Sequence, residues 1–295
     1  MTRQSPDRRR TPAHLSLIHG TSTYRRPGEP IGSFREPISL SVISGKGGVG
    51  KSTLVANLAV LFARRGLKVL VLDGDLSLAN VDLLLGLVPQ YNLWDVVSGK
   101  MTLDDIILEG PHGIKLLPAA SGVEDMANLD DYRREVLIRS LDDLKSRHDV
   151  FLVDTGSGIH RQNIRLAQAT REILILTTPE PTAFSDAYAT LKVLLSRPIW
   201  NAPRLVLNRV RNGAEARRAA RRIRSVAQHF LQMKPEVLGM IPEDDLVLRS
   251  IHAQEPFVDM FPKSQAAMAL ESLADQLLHV EEPPRTRLPG HVGVA

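Results

Sequence analysis

The chain has 295 residues, of which 43% are apolar, 24% are charged and none is cysteine. That length carries one large domain or two small ones. The missing cysteine excludes disulfides, cysteine-held zinc and iron–sulfur ligation, and no apolar run approaches the roughly 20 residues of a membrane-spanning helix.

The net charge of +4 belongs to the start of the chain. Residues 1–37 carry seven arginines (Arg3, Arg8, Arg9, Arg10, Arg25, Arg26, Arg35) against Asp7, Glu29 and Glu36, and the remainder is balanced. Pro6, Pro12, Pro27, Pro30 and Pro37 break the same stretch, which reads as a disordered basic arm. Its charge suits nucleic acid or lipid headgroups; a solvated leader is the alternative. No apolar segment of signal-peptide type follows "MTRQSPDRRR", so a cytoplasmic protein is expected.

Order is predicted from residue 38. "ISLSVIS" (38–44) reads as a buried strand and "TLVANLAVLFARRG" (53–66) as a helix ended by Gly66. "KVLVLD" (68–73), "DVFLVD" (149–154), "EILILTT" (172–178), "RLVLNRV" (204–210) and "EVLGMIP" (236–242) read as further strands. Helical segments at 131–147, 182–196, 214–233 and 264–280 separate most of them. Strands rich in Val, Ile and Leu, alternating with helices, predict a doubly wound α/β fold: a mostly parallel sheet with helices on both faces. The expected organisation is a basic arm at 1–37, one domain over 38–280 and a disordered tail at 281–295.

Between the first strand and first helix lies Gly45-Lys46-Gly47-Gly48-Val49-Gly50-Lys51-Ser52-Thr53. Gly45, Gly50, Lys51 and Ser52 match the phosphate-binding loop pattern, and strand before with helix after is its context. The loop amides and the helix start favour an anion. Lys51 is expected at the β- and γ-phosphates of ATP and the Ser52 hydroxyl on Mg²⁺. Lys46 is surplus to that pattern and would point outward from a compact loop. Asp73 and Asp75, at the second strand end, and Asp154, in "FLVDTGSGI", are carboxylates placed for metal and water. His160, next in line, reads as a solvated side chain.

The nine residues 45–53 resemble the deviant phosphate loop of the MinD/ParA family of ATPases. The resemblance implies that Lys46 crosses to the nucleotide of a second subunit in an ATP-dependent homodimer. It also implies that Asp75 orients the attacking water, that Asp73 and Asp154 with Ser52 serve the metal, and that Asn80-Val81-Asp82 belongs to switch I. Asn208 resembles the family's adenine-recognising asparagine, and Pro242, Glu243 and Asp244 resemble the loop lining the purine. Missing cysteines set aside the nitrogenase, Mrp-type, tail-anchored-protein and arsenite-pump relatives. With Tyr188 the last tyrosine, the tyrosine kinases of this fold are set aside too.

"DTGSGI" (154–159) and "TTPEPTAFSDAYATLKVL" (177–194) resemble the FlhG group, also called FleN or YlxH, which controls flagellar number and placement. That implies a slow, partner-stimulated ATPase, with an FlhF-type GTPase and flagellar C-ring proteins as partners and a possible peripheral position at the inner face of the plasma membrane. The group's Asp-Gln-Ala-containing start is not found in 1–37. The helix at 264–280 lacks the lysines of a membrane-lying helix and reads as a core helix. A MinD-like regulator of division and a ParA-like DNA-partition ATPase are the alternative readings. For the latter, "EARRAARRIRSVAQHF" (215–230) offers Arg217, Arg218, Arg221, Arg222 and Arg224 as a DNA- or lipid-binding stripe, with Ala216, Ala219, Ile223, Val226 and Phe230 expected on the buried face.

Overall fold

A computed structural model of the chain describes residues 37–75, 80–119 and 140–279. The predicted arm up to residue 36, the tail and most of the predicted helix 131–147 lie outside the described residues. Residues 140–146 are helical.

The apolar runs form the strands β1 (Ile38–Ser44), β2 (Val69–Gly74), β5 (Val150–Ser157), β6 (Glu172–Thr177), β7 (Arg204–Val210) and β8 (Val237–Pro242). Two short strands were not evident in the sequence: β3 (Leu108–Glu109) and β4 (Lys115–Leu117). They form a small hairpin-like edge, too short to show a periodicity. The order is β3-β4-β2-β5-β1-β6-β7-β8, parallel throughout except for the β3–β4 pair.

The strand sequences are apolar at successive positions because both faces are covered. Leu40 and Val42 of β1 and Leu174 and Leu176 of β6 enter the core beneath α1 (Lys51–Arg64). Ile43, Ile173 and Ile175 enter the opposite core. Side chains alternate along a strand, so every second residue feeds each layer. The opposite core is built with α5 (Arg161–Gln168), α6 (Pro181–Leu195) and α7 (Gly213–Leu231). Short helices α2 (Val81–Leu84), α3 (Leu93–Val97) and α4 (Leu103–Ile106) follow β2, and α8 (Asp245–Ala253), α9 (Phe257–Met260) and α10 (Gln265–Leu278) follow β8.

One expectation about side-chain faces needs correction. In α7 the buried row is Ala216, Ala220, Ile223 and Ala227, whereas Phe230 is 65% exposed. Phe230 continues that spacing on the last turn, yet it is exposed and lies edge-on to Tyr188, and Ala219 and Val226 are only half-buried. In α10, Leu270, Leu273 and Leu277 are buried, as expected of a core helix. Among the described residues no helix is long and apolar enough to cross a membrane.

Candidate functional site

β1 lies at the centre of the sheet, and the chain winds outward from it to both sides. The crevice at the C-terminal end of such a strand is where open α/β sheets take ligands. The glycine-rich loop occupies that position and feeds straight into α1.

Three glycines of the loop have steric reasons. A Cβ on Gly45 would sit 2.4 Å from the carbonyl oxygen of Asp186, so the backbone of α6 rests directly on the loop. Gly48 (φ 73°) and Gly50 (φ 97°) hold left-handed conformations. Gly50 precedes the first helical residue, and no acidic side chain lies in the first turn of α1. The helix N-terminus therefore faces the crevice with its amide charge uncompensated. At Gly47 a Cβ would stand 3.6 Å from Ser157 Oγ, an ordinary contact.

The two lysines leave the loop in different directions. Lys51 is buried and donates from Nζ to Ser157 Oγ at 2.8 Å, at the end of β5. Lys46 reaches the N-terminus of α6, where Nζ donates to Glu180 Oε2 (2.7 Å) and Thr182 Oγ1 (3.2 Å). Both partners of that pair are substantially exposed. The Lys46 hydrogen bond and charge hold the Glu180 carboxyl below its usual value. Sequence analysis placed Lys46 outward but gave no partner, because Glu180 lies 134 residues away.

Asp73 and Asp154 are paired across adjacent strands β2 and β5. Asp73 is buried and accepts from the amides of Asp75 (3.1 Å), Asn80 (3.2 Å) and Val81 (3.2 Å). Residues 76–79 lie outside the described residues. Burial raises the Asp73 carboxyl to about 6, with those three amides opposing. Asp154 is fully buried, and neither carboxylate oxygen has a hydrogen-bond partner. Burial, reinforced by the negative charge of Asp73, pushes it to about 8. Ser52 is close enough to favour the ionised form, though not placed for a full hydrogen bond, and Lys51 also opposes the rise.

A buried carboxylate with two orphaned oxygens fits a cation ligand. Among the described residues no group of three or more His, Cys, Asp or Glu could hold a metal unaided. Asp154, Asp73 and the Ser52 hydroxyl instead fit Mg²⁺, which takes one or two carboxylates and completes its shell with phosphate and water.

A cleft of about 320 Å³ opens beside the loop, lined by Gly50, Thr53, Asn208, Pro242, Glu243 and Asp244 among others. Asn208 Nδ2 donates to the Val49 carbonyl at 2.8 Å, and a Cβ on Gly50 would stand 2.7 Å from the same nitrogen. Its Oδ1 accepts from the amide of Arg209 (3.0 Å), which is held at φ 54°. One N–H and one lone pair stay available, the donor and acceptor a purine edge requires. Asp244 lines the cleft, but its two oxygens are engaged by the amides of Leu246 (3.0 Å) and Ala266 (3.2 Å). It caps α8 and secures α10, so it builds the wall instead of presenting a carboxylate to a ligand. Glu243 is tied through its amide to the Val210 carbonyl.

The structure thus brings the phosphate loop, Asp73, Asp75, Asp154 and the Asn208 cleft around one crevice. Sequence reasoning missed Ser157, Asn163, Glu180, Thr182 and Arg209. Of these, Ser157, Glu180 and Thr182 lay in segments singled out for their resemblance. His160 is exposed and makes no capping hydrogen bond.

Residues 40–257 match the CobQ/CobB/MinD/ParA nucleotide binding domain. The antiactivator FleN of Pseudomonas aeruginosa is 36% identical over 247 residues, 84% of this chain and 88% of that protein. The flagellum site-determining protein YlxH of Helicobacter pylori is 30% identical, covering 85% of each chain. The septum site-determining protein MinD of Pyrococcus horikoshii, solved with Mg-ADP, superposes with a TM-score of 0.67 at 30% identity over 81% of this chain and 95% of that one.

Proposed function

The chain belongs to the CobQ/CobB/MinD/ParA nucleotide-binding family, within its FlhG group of FleN- and YlxH-type proteins, and from that premise we propose that it is an ATP-driven monomer–dimer switch controlling flagellar number or placement. The observation carrying the reading is the divergence of the two loop lysines: Lys51 toward the crevice, Lys46 onto an exposed pair at the surface.

In this reading the loop amides and Lys51 hold the phosphates of ATP, with Ser52 beneath them. Asp154, Asp73 and Ser52 hold Mg²⁺, which when bound supplies charge neutralisation for the β- and γ-phosphates. Lys46 exchanges Glu180 and Thr182 for the nucleotide of a second subunit, acting as a cation supplied in trans. Both ends of this ion pair are exposed and screened by solvent, so this resting contact is easily given up. Asp75 orients the attacking water, and slow hydrolysis times the return to the monomer. Asn208 offers its spare donor and acceptor to adenine, and because it also holds Val49, base binding steadies the phosphate loop.

Two relatives bear the flagellar names antiactivator and site-determining protein, which supports a partner among flagellar C-ring proteins or an FlhF-type GTPase. Arg217, Arg218, Arg221 and Arg222 are exposed and make no ion pair among the described residues; Arg222 stacks over Phe184. That surface suits an acidic partner and also favours a second reading, binding of the ATP dimer to duplex DNA. A steep loss of DNA binding with rising salt would support that reading, and no binding at low salt would remove it.

The proposal is tested with Asp75→Ala. With Mg²⁺ and ATP this variant should accumulate as a dimer with hydrolysis abolished, and cells carrying it should show altered flagellar number. A variant that hydrolyses ATP at the wild-type rate would remove the role given to Asp75.

A further inference from the structure

Asn163 has no part in the chemistry above, yet it is buried in α5 directly against the loop after β5. Its Nδ2 donates to the carbonyls of Ser157 (2.9 Å) and Gly158 (3.2 Å). Two acceptors on one side fix the orientation of the amide, because the reverse would set its oxygen against both carbonyls. Gly156 makes room for this approach. A Cβ there would stand 2.8 Å from Asn163 Oδ1 and 3.2 Å from Nδ2.

The two clamped residues are also held from the crevice side. Ser157 Oγ accepts from Lys51 Nζ at 2.8 Å, and the Gly158 amide donates to the Ser44 carbonyl at 2.8 Å. Asn163, the phosphate-loop lysine and the end of β1 therefore converge on residues 157–158. Three residues further along the same face of α5, Leu166 packs on the end of β2. A Cβ on Gly74 would lie 2.6 Å from Leu166 Cδ1, and Gly74 stands between Asp73 and Asp75. In this reading residues 155–158, directly after Asp154, form switch II, so one helix rests on switch II through Asn163 and on the root of switch I through Leu166.

We propose that Asn163 is the positioning residue of switch II. It holds the 157–158 carbonyls so that Ser157 stays on Lys51, and through α5 it couples movement of those residues to the Gly74–Asp75 segment. The proposal rests on the reading that switch II receives the γ-phosphate of ATP. ADP lacks that group, so ADP binding is the internal reference.

The test compares wild type, Asn163→Asp and Asn163→Ala in the full chain. Asn163→Asp keeps the side-chain shape but replaces the donor with a group that repels both carbonyls. ADP affinity, ATP turnover at saturating ATP, and amide exchange over residues 156–159 are measured. Losing two hydrogen bonds that act on the ATP state should lower turnover roughly tenfold or more. Exchange at 156–159 should rise, and ADP affinity should stay within about twofold. If Asn163→Asp does not fold, Gly156→Ala, which displaces the amide, should give the same split. Wild-type turnover and exchange in the variants would overturn the proposal. So would a fall in ADP affinity matching the fall in turnover, the mark of a purely structural role. A wild-type protein without turnover would defeat the ATPase reading instead, and the exchange measurement would still decide the clamp.

Discussion

Asp154→Asn separates stability from function at the metal site. The Asp154 carboxyl is 0% exposed, lacks hydrogen-bond partners and stands beside Asp73. Its pKa is raised from 3.8 to about 8. A raised carboxyl pKa penalises the folded state as pH rises: the penalty is absent below about 3.8, grows through neutrality and levels off above about 8. At pH 7 the interval of about three units corresponds to roughly 4 kcal/mol as a ceiling, at 1.36 kcal/mol per unit. Asparagine keeps the shape and removes the charge, but its amide is buried without partners at some cost, so a gain of about 2 kcal/mol is expected. For a domain of this size that raises the melting temperature of the nucleotide-free protein by about 4–8 °C. The assay is thermal unfolding from pH 5 to 9, with and without Mg²⁺ and ADP. The wild type should lose stability toward pH 8 more steeply than the variant, and only the wild type should gain from adding Mg²⁺ to ADP. A variant less stable than wild type at pH 8, or an equal Mg²⁺ gain in both, would refute the reasoning.

Two further substitutions probe the loop and the base cleft. Gly45→Ala places a methyl 2.4 Å from the Asp186 carbonyl; the backbone of α6 must retreat, costing about 1–3 kcal/mol or more in chemical denaturation, with loss of nucleotide binding. Asn208→Ala removes the donor to Val49 and the acceptor of the Arg209 amide. Affinity for ADP should fall about tenfold and discrimination of ATP from GTP should weaken, both read by nucleotide titration.

The sheet was legible because six short segments are dense in Val, Ile and Leu, as strands covered on both faces require. The phosphate loop was legible because its glycines and lysine are local in sequence. What stayed hidden was short or non-local. β3 and β4 have two and three residues, and α5, "RQNIRLAQ", is too polar to announce itself. The resting partner of Lys46, the grip of Asn163 on switch II and the spending of the Asp244 carboxylate on two helix starts are pairings across the fold, and no spacing rule encodes them. Phe230 was misplaced because periodicity extends a buried face to the last turn of a helix, where the packing partner ends first.

The most direct test of the dimer switch is sedimentation of wild type and Lys46→Ala, each with Mg²⁺ and either ADP or ATP. Among the described residues the Lys46 amine hydrogen-bonds Glu180 and Thr182, both exposed, so the variant should fold normally and bind ADP as the wild type does. The expected result is a wild-type dimer with ATP alone and a Lys46→Ala protein that stays monomeric with either nucleotide. A Lys46→Ala protein that dimerises with ATP as readily as the wild type would contradict the assignment of Lys46 to a second subunit's nucleotide.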